Sequence, residues 1–231
     1  MNSFIANISE QEAVLGPEES LHCCKVLRKK PGDVIQVIDG KGWFYEAILN
    51  VVSEKVCRAQ LQGPGREQVK RDYYLHLAIA PTKQIDRTEW LLEKAVELGV
   101  DEISLLRCHN SERTHVNTDR MRKIIESAVK QSLQARLPQL NALIDFDVLI
   151  KENGSTQKLI AHCEPGEKLN LRGIQFKNQN TIVLIGPEGD FSPQEIHKAL
   201  NNGFKALSLG DTRLRTETAG LAVVQAAFLL S

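Results

Sequence analysis

Two short segments near the end of the chain, residues 181–185 and 206–209, have the composition of strands, and each is followed directly by a glycine, Gly186 or Gly210. A short apolar run bounded by turn residues is typical of a strand buried on both faces of a parallel sheet. Parallel strands need long crossover connections, which are usually helices. These segments therefore predict an α/β fold in which strands alternate with helices.

The pattern from residue 73 onward supports this expectation. Gly99 and Gly203 are placed to end helices, and Ser192 and Glu195 are spaced as a capping box. We predict strands over residues 73–80, 102–106, 158–162, 181–185 and 206–209. We predict helices over residues 86–98, 119–133, 192–203 and 216–230. The result is a parallel sheet covered on both faces.

The first 70 residues have a different pattern. Strand-like segments span residues 33–39, 42–49 and 51–61, and Asp39-Gly40 is a turn signal between the first two. Short strands at close spacing predict a small barrel. Residues 63–67 hold two glycines and a proline, which indicates a linker. We therefore divide the chain into a barrel domain, 1–70, and an α/β domain, 73–231.

Charge gives a mixed indication of the partner. The chain has 29 basic and 29 acidic residues, a net charge of zero, which by itself argues against nucleic-acid binding. Residues 107–136 nevertheless hold seven cations and three acidic residues, a local excess of four, and a second basic run covers residues 25–30. A neutral protein can bind RNA when its positive charge is clustered. A solvated helix face is an equally good interpretation of either stretch alone.

The cysteines and apolar runs exclude several classes of protein. The five cysteines are odd in number and show no CxxC pair, which argues against a disulfide framework and against a zinc or other metal site. No apolar run reaches the roughly 20 residues that a membrane helix needs, and the N-terminus does not resemble a signal peptide. We expect a cytoplasmic protein with no membrane partner.

The loops after residues 185 and 209 are the best candidates for a binding site. Ligands in open α/β sheets bind beyond the carboxyl ends of the strands, and glycine lets a ligand approach the backbone. Such glycines can also serve the turn alone, and Thr216 and Glu217 can serve as a helix cap and a favourable charge at a helix start. Neither alternative explains Arg213 and Arg215, which suit an anionic or electron-rich partner. Dinucleotide, P-loop and nucleophile-elbow motifs are absent from the sequence.

At these loops the chain resembles the RsmE family of SPOUT methyltransferases, which methylate N3 of a uridine in 16S ribosomal RNA. The resemblance rests on motifs along nearly the whole chain, namely His22, 26–28, Gly32-Asp33, Lys83, Asp86-Arg87, Glu89-Trp90, Lys94, 97–99, 111–113, 131–132, 186–189, Phe191-Ser192, Glu195-Ile196, Leu209-Gly210 and 214–219. Two positions depart from the family pattern. Leu133-Gln134 stand where a Gly-Arg pair is frequent, which affects one expected RNA or active-site contact, and Asp190 replaces a frequent glycine.

The resemblance implies a PUA-like N-terminal barrel, a C-terminal SPOUT domain with a deep trefoil knot, and a homodimer. It implies S-adenosyl-L-methionine as cofactor and 16S ribosomal RNA or the small ribosomal subunit as partner. The implied cofactor-binding residues are His162, Ile185, Gly186, Pro187, Gly189, Leu209, Gly210, Leu214, Thr216 and Ala219.

We assign the catalytic roles to Arg215, as an electrostatic stabiliser, and to Glu217, as a base or a group that orients one. The residues expected to bind RNA are Arg28, Lys29, Lys30, Lys83, Arg87 and Arg113. Three alternatives remain open: a related enzyme that acts on transfer RNA or on the ribose 2′-oxygen, an RNA-binding assembly factor without catalysis, and a small-molecule enzyme that uses a nucleotide at the same loops.

Overall fold

A computed structural model of the chain describes residues 3–152 and 154–230. They form two compact units, Met1–Lys70 with Glu126–Leu137, and Arg71–Ile125 with Pro138–Ser231. The proposed domain limits of 1–70 and 73–231 stay a prediction. No helix in the described part of the chain combines the length and apolar character that crossing a bilayer requires.

The first unit is built on a closed barrel of five strands. Its elements are β1 (Ser3–Ser9), β2 (Glu12–Leu15), α1 (Pro17–Leu21), β3 (Val34–Ile38), β4 (Trp43–Val51), β5 (Cys57–Leu61) and the short β6 (Arg66–Glu67). The strand order is β3-β1-β2-β5-β4, and pairing between β3 and β4 closes the ring. Closure leaves these strands without a free edge. Alternate side chains, including Phe4, Ile35 and Leu49, fill the interior.

A segment distant in sequence completes this unit. The amide of Gly42 donates to the carbonyl of Ala135, and the amide of Leu137 donates to the carbonyl of Gly40, at 3.0 and 2.9 Å. The side-chain oxygen of Gln68 accepts from the amide of Ala135. These bonds satisfy the backbone of residues 135–137 on the barrel, and nothing in the local sequence of residues 126–137 indicates this placement.

The second unit contains a sheet of seven parallel strands. They are β7 (Tyr74–Ile79), β8 (Glu102–Arg107), β9 (Gln139–Asp145), β10 (Gln157–Ala161), β11 (Leu169–Asn170), β12 (Asn180–Ile185) and β13 (Lys205–Ser208). Their order in the sheet is β11-β13-β10-β12-β7-β8-β9, and every neighbouring pair is parallel. The three strands β13, β10 and β12 are therefore adjacent, and their carboxyl ends share one edge.

Helices cover both faces of this sheet. They are α2 (Ile85–Leu98), α4 (Phe146–Glu152), α5 (Pro193–Asn201), α6 (Thr216–Leu230) and the first part of α3 (Thr118–Gln131), whose residues from Glu126 onward belong to the first unit. One core layer includes Leu91 of α2 and Val223 of α6, and the other includes Phe146 of α4 and Ile196 of α5. The apolar strand β12 contributes alternate residues to both layers, which explains why it has no polar face.

The predicted α/β class and the N-terminal barrel are confirmed, and most predicted elements from residue 73 onward agree with the structure within two residues. The expectation for residues 51–61 is wrong in part, because β4 ends at Val51 and β5 begins only at Cys57. Strands β1, β2, β6, β9 and β11 and helices α1 and α4 were not predicted. The deep trefoil knot stays a prediction.

Candidate functional site

The loops that follow β10, β12 and β13 enclose one cavity of about 1190 Å³. It lies at the carboxyl ends of three adjacent parallel strands, where ligands of open α/β sheets bind. The cavity is lined by residues 161–165 and 168, 185–194 and 207–216, with His109, Asn110 and Ala219. Three glycines, Gly186, Gly189 and Gly210, belong to this lining, so a ligand can approach the main chain at those positions.

Side-chain hydrogen bonds tie these loops to one another. The hydroxyl of Thr216 donates to the carbonyl of Gly186 at 3.1 Å, which fixes the start of α6 against the loop after β12. The ammonium of Lys168 donates to the carbonyl of His162 at 2.7 Å. The interpretation of Thr216 as a helix cap is wrong, because α6 begins at Thr216 itself and the carbonyl of Arg215 accepts the first helical hydrogen bond.

Two glycines of the lining have a physical requirement for that residue type. Gly210 has a φ of 133°, which side chains rarely adopt, and a Cβ atom there would point into open space. A Cβ atom on Gly186 would lie 3.1 Å from the ring of Phe191 and 3.2 Å from its amide nitrogen, so a side chain there would require Phe191 to shift by a few tenths of an ångström. Both positions keep the backbone accessible from the cavity.

The start of α5 holds the loop after β12 at its far end. Ser192 and Glu195 form the predicted capping box, in which the Ser192 hydroxyl accepts from the Glu195 amide and the Glu195 carboxylate accepts from the Ser192 amide. The second oxygen of the same carboxylate accepts from the amide of His109 at 2.8 Å. One buried carboxylate thus connects the loops after β8 and β12.

The side chain of His162 places two buried polar atoms at the cavity. Both of its ring nitrogens are buried, and neither has a hydrogen-bond partner within residues 3–152 and 154–230. Burial and the nearby Lys168 ammonium lower the pKa of the imidazole, which favours the neutral ring. A neutral imidazole offers one donor and one acceptor. Buried polar atoms without partners are costly, so the two nitrogens indicate a site that is completed by a ligand.

The structure brings together all ten residues predicted to bind a cofactor, because each of them lines this one cavity. Arg215 also lines it, with an exposed side chain. Glu217 does not. It is buried in the first turn of α6, where one carboxylate oxygen lies 3.7 Å from the guanidinium of Arg87 and the other has no hydrogen-bond partner among the described residues. The roles of these residues stay predictions.

The predicted RNA-binding residues fall into two groups. Arg28, Lys29 and Lys30 lie in the first unit and form no ion pair among the residues that the structure describes. The other three lie in the second unit and have partners: Lys83 pairs with Glu112, Arg87 pairs with Glu217, and Arg113 donates to the backbone carbonyls of Thr82 and Lys83.

The positive excess predicted for residues 107–136 is largely offset in the structure. Three of its cations pair with carboxylates outside the stretch, since Arg107 binds Asp145, Arg120 binds Glu89 and Lys130 binds Glu19. Counting charge along the sequence misses such pairs. Four residues of the lining that support or contact the loops were not predicted from the sequence, namely His109, Asn110, Cys163 and Lys168. The first three lie within three residues of the end of β8 or β10, which could have indicated them, whereas Lys168 directly precedes β11.

Comparison with known proteins gives consistent results. Residues 70–228 match a family model described as RNA methyltransferase domain, and residues 15–69 match one described as RNA methyltransferase PUA domain. The chain is 29% identical to ribosomal RNA small subunit methyltransferase E of Mesomycoplasma hyopneumoniae strain 232, over 96% of both chains.

Two solved structures share the architecture along nearly the whole chain. A protein of Porphyromonas gingivalis, described as a probable rRNA-methyltransferase, is 37% identical, with a TM-score of 0.88 over 97% of this chain and 96% of that one. A ribosomal RNA small subunit methyltransferase E of Neisseria gonorrhoeae, bound to S-adenosyl methionine, is 28% identical, with a TM-score of 0.81 over 98% and 96%.

Proposed function

Because the chain belongs to the RNA methyltransferase family, and within it to the RsmE group that its motifs predicted, we propose that it methylates N3 of a uridine in 16S ribosomal RNA. The observation that carries the proposal is the single cavity lined by all ten predicted cofactor residues. The substrate class follows from relatives whose names specify small-subunit ribosomal RNA.

The residues of the cavity fit S-adenosyl-L-methionine as the cofactor. Gly186 and Gly210 leave backbone groups open to a nucleotide, and the unpartnered nitrogens of His162 offer a donor and an acceptor to a polar ligand. Apolar lining residues, including Leu209 and Leu214, suit a flat base. When bound, this cofactor supplies a methyl group on a positively charged sulfur.

Arg215 is proposed to act on the uracil ring. The N3 atom of uracil carries a proton at neutral pH, and negative charge develops on the ring as that proton leaves. A guanidinium stays charged at any physiological pH and stabilises such an anion when it is held beside it. Arg215 precedes the first residue of α6, and its carbonyl accepts from the amide of Ala219, which fixes its backbone at the cavity wall.

Glu217 is proposed to orient other groups. Its carboxylate is buried and faces Arg87 rather than the cavity, so direct contact with the uracil proton is not supported by this geometry. A buried carboxylate paired with a guanidinium fixes the position of both side chains. We therefore assign Glu217 and Arg87 a role in holding the start of α6, and with it Arg215.

The residues Arg28, Lys29 and Lys30 are proposed to bind the RNA backbone, because their charges have no ion-pair partner among the described residues. We also propose a homodimer, supported by exposed apolar side chains on α6. A cytoplasmic location agrees with ribosomal RNA as substrate and with five cysteines that are all free thiols.

The direct test is to treat ribosomal RNA from a strain that lacks the gene with purified protein and labelled cofactor. We expect mass spectrometry to find one labelled uridine in 16S ribosomal RNA, methylated at N3. A label in transfer RNA or at a ribose 2′-oxygen would support the related enzymes instead. Absence of S-adenosylmethionine binding in calorimetry would support an assembly factor or an enzyme that uses another nucleotide.

Replacing Arg215 tests the proposed chemistry. We expect Arg215→Ala to lower turnover by about 100-fold or more, the effect typical of losing one group that stabilises developing charge. The dissociation constant for S-adenosylmethionine should change far less, because the proposed contact is with the uracil. Arg215→Lys, which keeps the charge, should retain more turnover than Arg215→Ala. Equal turnover in a folded Arg215→Ala protein contradicts the assignment.

A further inference from the structure

Asp190 occupies an unusual backbone conformation in the loop after β12. Its φ is 62°, in the left-handed region that favours glycine. Its amide donates to the carbonyl of Pro187 at 2.9 Å, which closes a tight turn over residues 187–190. A glycine would adopt this conformation without strain. The presence of a carboxylate instead calls for a compensating interaction.

Both oxygens of that carboxylate are used. One accepts from the amide of Phe191 at 2.8 Å, within the same loop. The other accepts from the amide of Cys163 at 2.7 Å, in the loop after β10. Hydrogen bonds from backbone amides to a carboxylate are among the stronger ones in proteins. Asp190 is therefore a bridge between two of the three loops that enclose the cavity.

The bridge lies where the sheet no longer supports these loops. Backbone pairing between β10 and β12 ends at Ala161 and Ile185, one residue before His162 and Gly186. Asn110, in the loop after β8, also holds the loop after β12, because its side-chain nitrogen donates to the carbonyls of Gly189 and Asp190 at 3.2 and 3.1 Å. Asp190 thus continues the connection between the two strands into the cavity wall.

We infer that Asp190 is a positioning residue for the cofactor, which it serves by fixing the loop that carries His162. This inference rests on the proposed function, since it assumes that the cavity binds S-adenosylmethionine. With the bridge in place, the backbone at residues 162–163 has one arrangement before the cofactor arrives. Without it, that loop must be ordered on binding, which lowers affinity.

Three variants distinguish the effect of losing the bridging hydrogen bonds from the effects of losing a negative charge and of relieving backbone strain. Asp190→Gly removes the carboxylate and relieves the backbone strain, and Asp190→Asn keeps the size and a conformation that asparagine tolerates. Glu167→Gln is the matched control, because Glu167 lies between β10 and β11 outside the cavity lining, with an exposed carboxylate that accepts no hydrogen bond from any described residue. It removes the same charge without removing a bridge.

Hydrogen exchange of the cofactor-free protein gives the first readout. We expect the amide of Cys163 to exchange about tenfold faster in Asp190→Gly and Asp190→Asn, the change that corresponds to losing one hydrogen bond to a charged group. Exchange at Cys163 should be unchanged in Glu167→Gln. Unchanged exchange in both Asp190 variants would overturn the inference.

Calorimetry with S-adenosylmethionine gives the second readout. We expect the dissociation constant to rise about tenfold in both Asp190 variants and less than about twofold in Glu167→Gln. The thermal stability of Asp190→Gly should fall less than the loss of these hydrogen bonds alone would predict, because relief of backbone strain offsets part of that loss. Equal losses of affinity in all three variants would mean that the missing negative charge, and not the missing bridge, weakens binding, and this result would overturn the inference. If the wild-type protein does not bind S-adenosylmethionine, the proposed function fails, and hydrogen exchange still decides whether the bridge exists.

Discussion

Leu133 is held in a conformation that suits glycine. Its φ is 53° and its side chain is 64% exposed, directly after the end of α3. The amide of Gln134 donates to the carbonyl of Val129 and that of Leu133 to the carbonyl of Lys130, the pattern of a Schellman helix end. The left-handed residue of this motif is usually glycine, and a leucine there carries strain of about 1–2 kcal/mol. The exposed side chain recovers little of that cost by burial.

We therefore predict that Leu133→Gly increases the free energy of unfolding by up to about 1 kcal/mol, since relief of strain exceeds the added entropy of the unfolded chain. Chemical denaturation measures this change. The control is Ser127→Gly at an exposed position inside α3, which should cost about 0.5 kcal/mol. A loss of stability in Leu133→Gly would show that the leucine side chain makes a stabilising contact.

A buried polar cluster lies where strands β7, β8 and β9 begin. His76 and Ser104 are 3% and 0% exposed, and Nε2 of His76 lies 2.7 Å from the Ser104 hydroxyl. Asn141 donates to the same hydroxyl at 2.9 Å and to the carboxylate of Glu102. Because Asn141 already donates to Ser104, the hydroxyl is free to donate to an unprotonated Nε2. Burial lowers the pKa of His76, partly opposed by Glu102, so the folded state holds the neutral ring.

The lowered pKa of His76 makes stability depend on pH. The unfolded chain protonates this histidine near its ordinary pKa of about 6.5, whereas the folded chain resists protonation. The unfolded state therefore binds more protons as pH falls below about 6.5, and folding stability declines there by at most about 1.4 kcal/mol per pH unit. We expect His76→Gln to flatten the decline between pH 7 and 5 relative to wild type. His197→Gln, which alters an exposed histidine of α5, should leave it unchanged. Parallel curves for wild type and His76→Gln contradict this prediction.

Elements with a strong local pattern were predictable, and those defined by distant partners were not. The turn at Gly186 and the turn at Gly210 could be expected to meet, because parallel strands place their carboxyl ends along one edge. The placement of residues 126–137 depends on Gln68 and Gly40, far away in sequence, so no local pattern encodes it. The role of Asp190 is hidden for the same reason, since its partner Cys163 lies 27 residues earlier.

Helix α6 presents apolar residues on every side at its C-terminal turn. Phe228, Leu229 and Leu230 are 50%, 65% and 45% exposed. A helix that is apolar all round is normally covered on all sides. We predict that the protein is a dimer in light-scattering chromatography and that Leu229→Lys shifts it toward a single chain. Leu200→Lys, on an exposed leucine of α5, should leave the mass unchanged. If Leu229→Lys remains a dimer, the dimer interface lies outside the C-terminal turn of α6.

For a molecule with no net charge, attraction to RNA depends on which cations lack internal partners. Within the described part of the chain, Lys29 and Lys30 have no carboxylate partner, whereas Lys83, Arg120 and Lys130 are paired with carboxylates. Each cation that neutralises a phosphate adds about 0.7 to the slope of log affinity against log salt for single-stranded RNA. We therefore predict that replacing Lys29 and Lys30 together by alanine reduces the slope by about 1.4, measured with a 16S ribosomal RNA fragment. Lys205→Ala removes one exposed charge at the start of β13 and should leave the slope unchanged. An identical slope in the double variant would mean that RNA binds another surface of the protein.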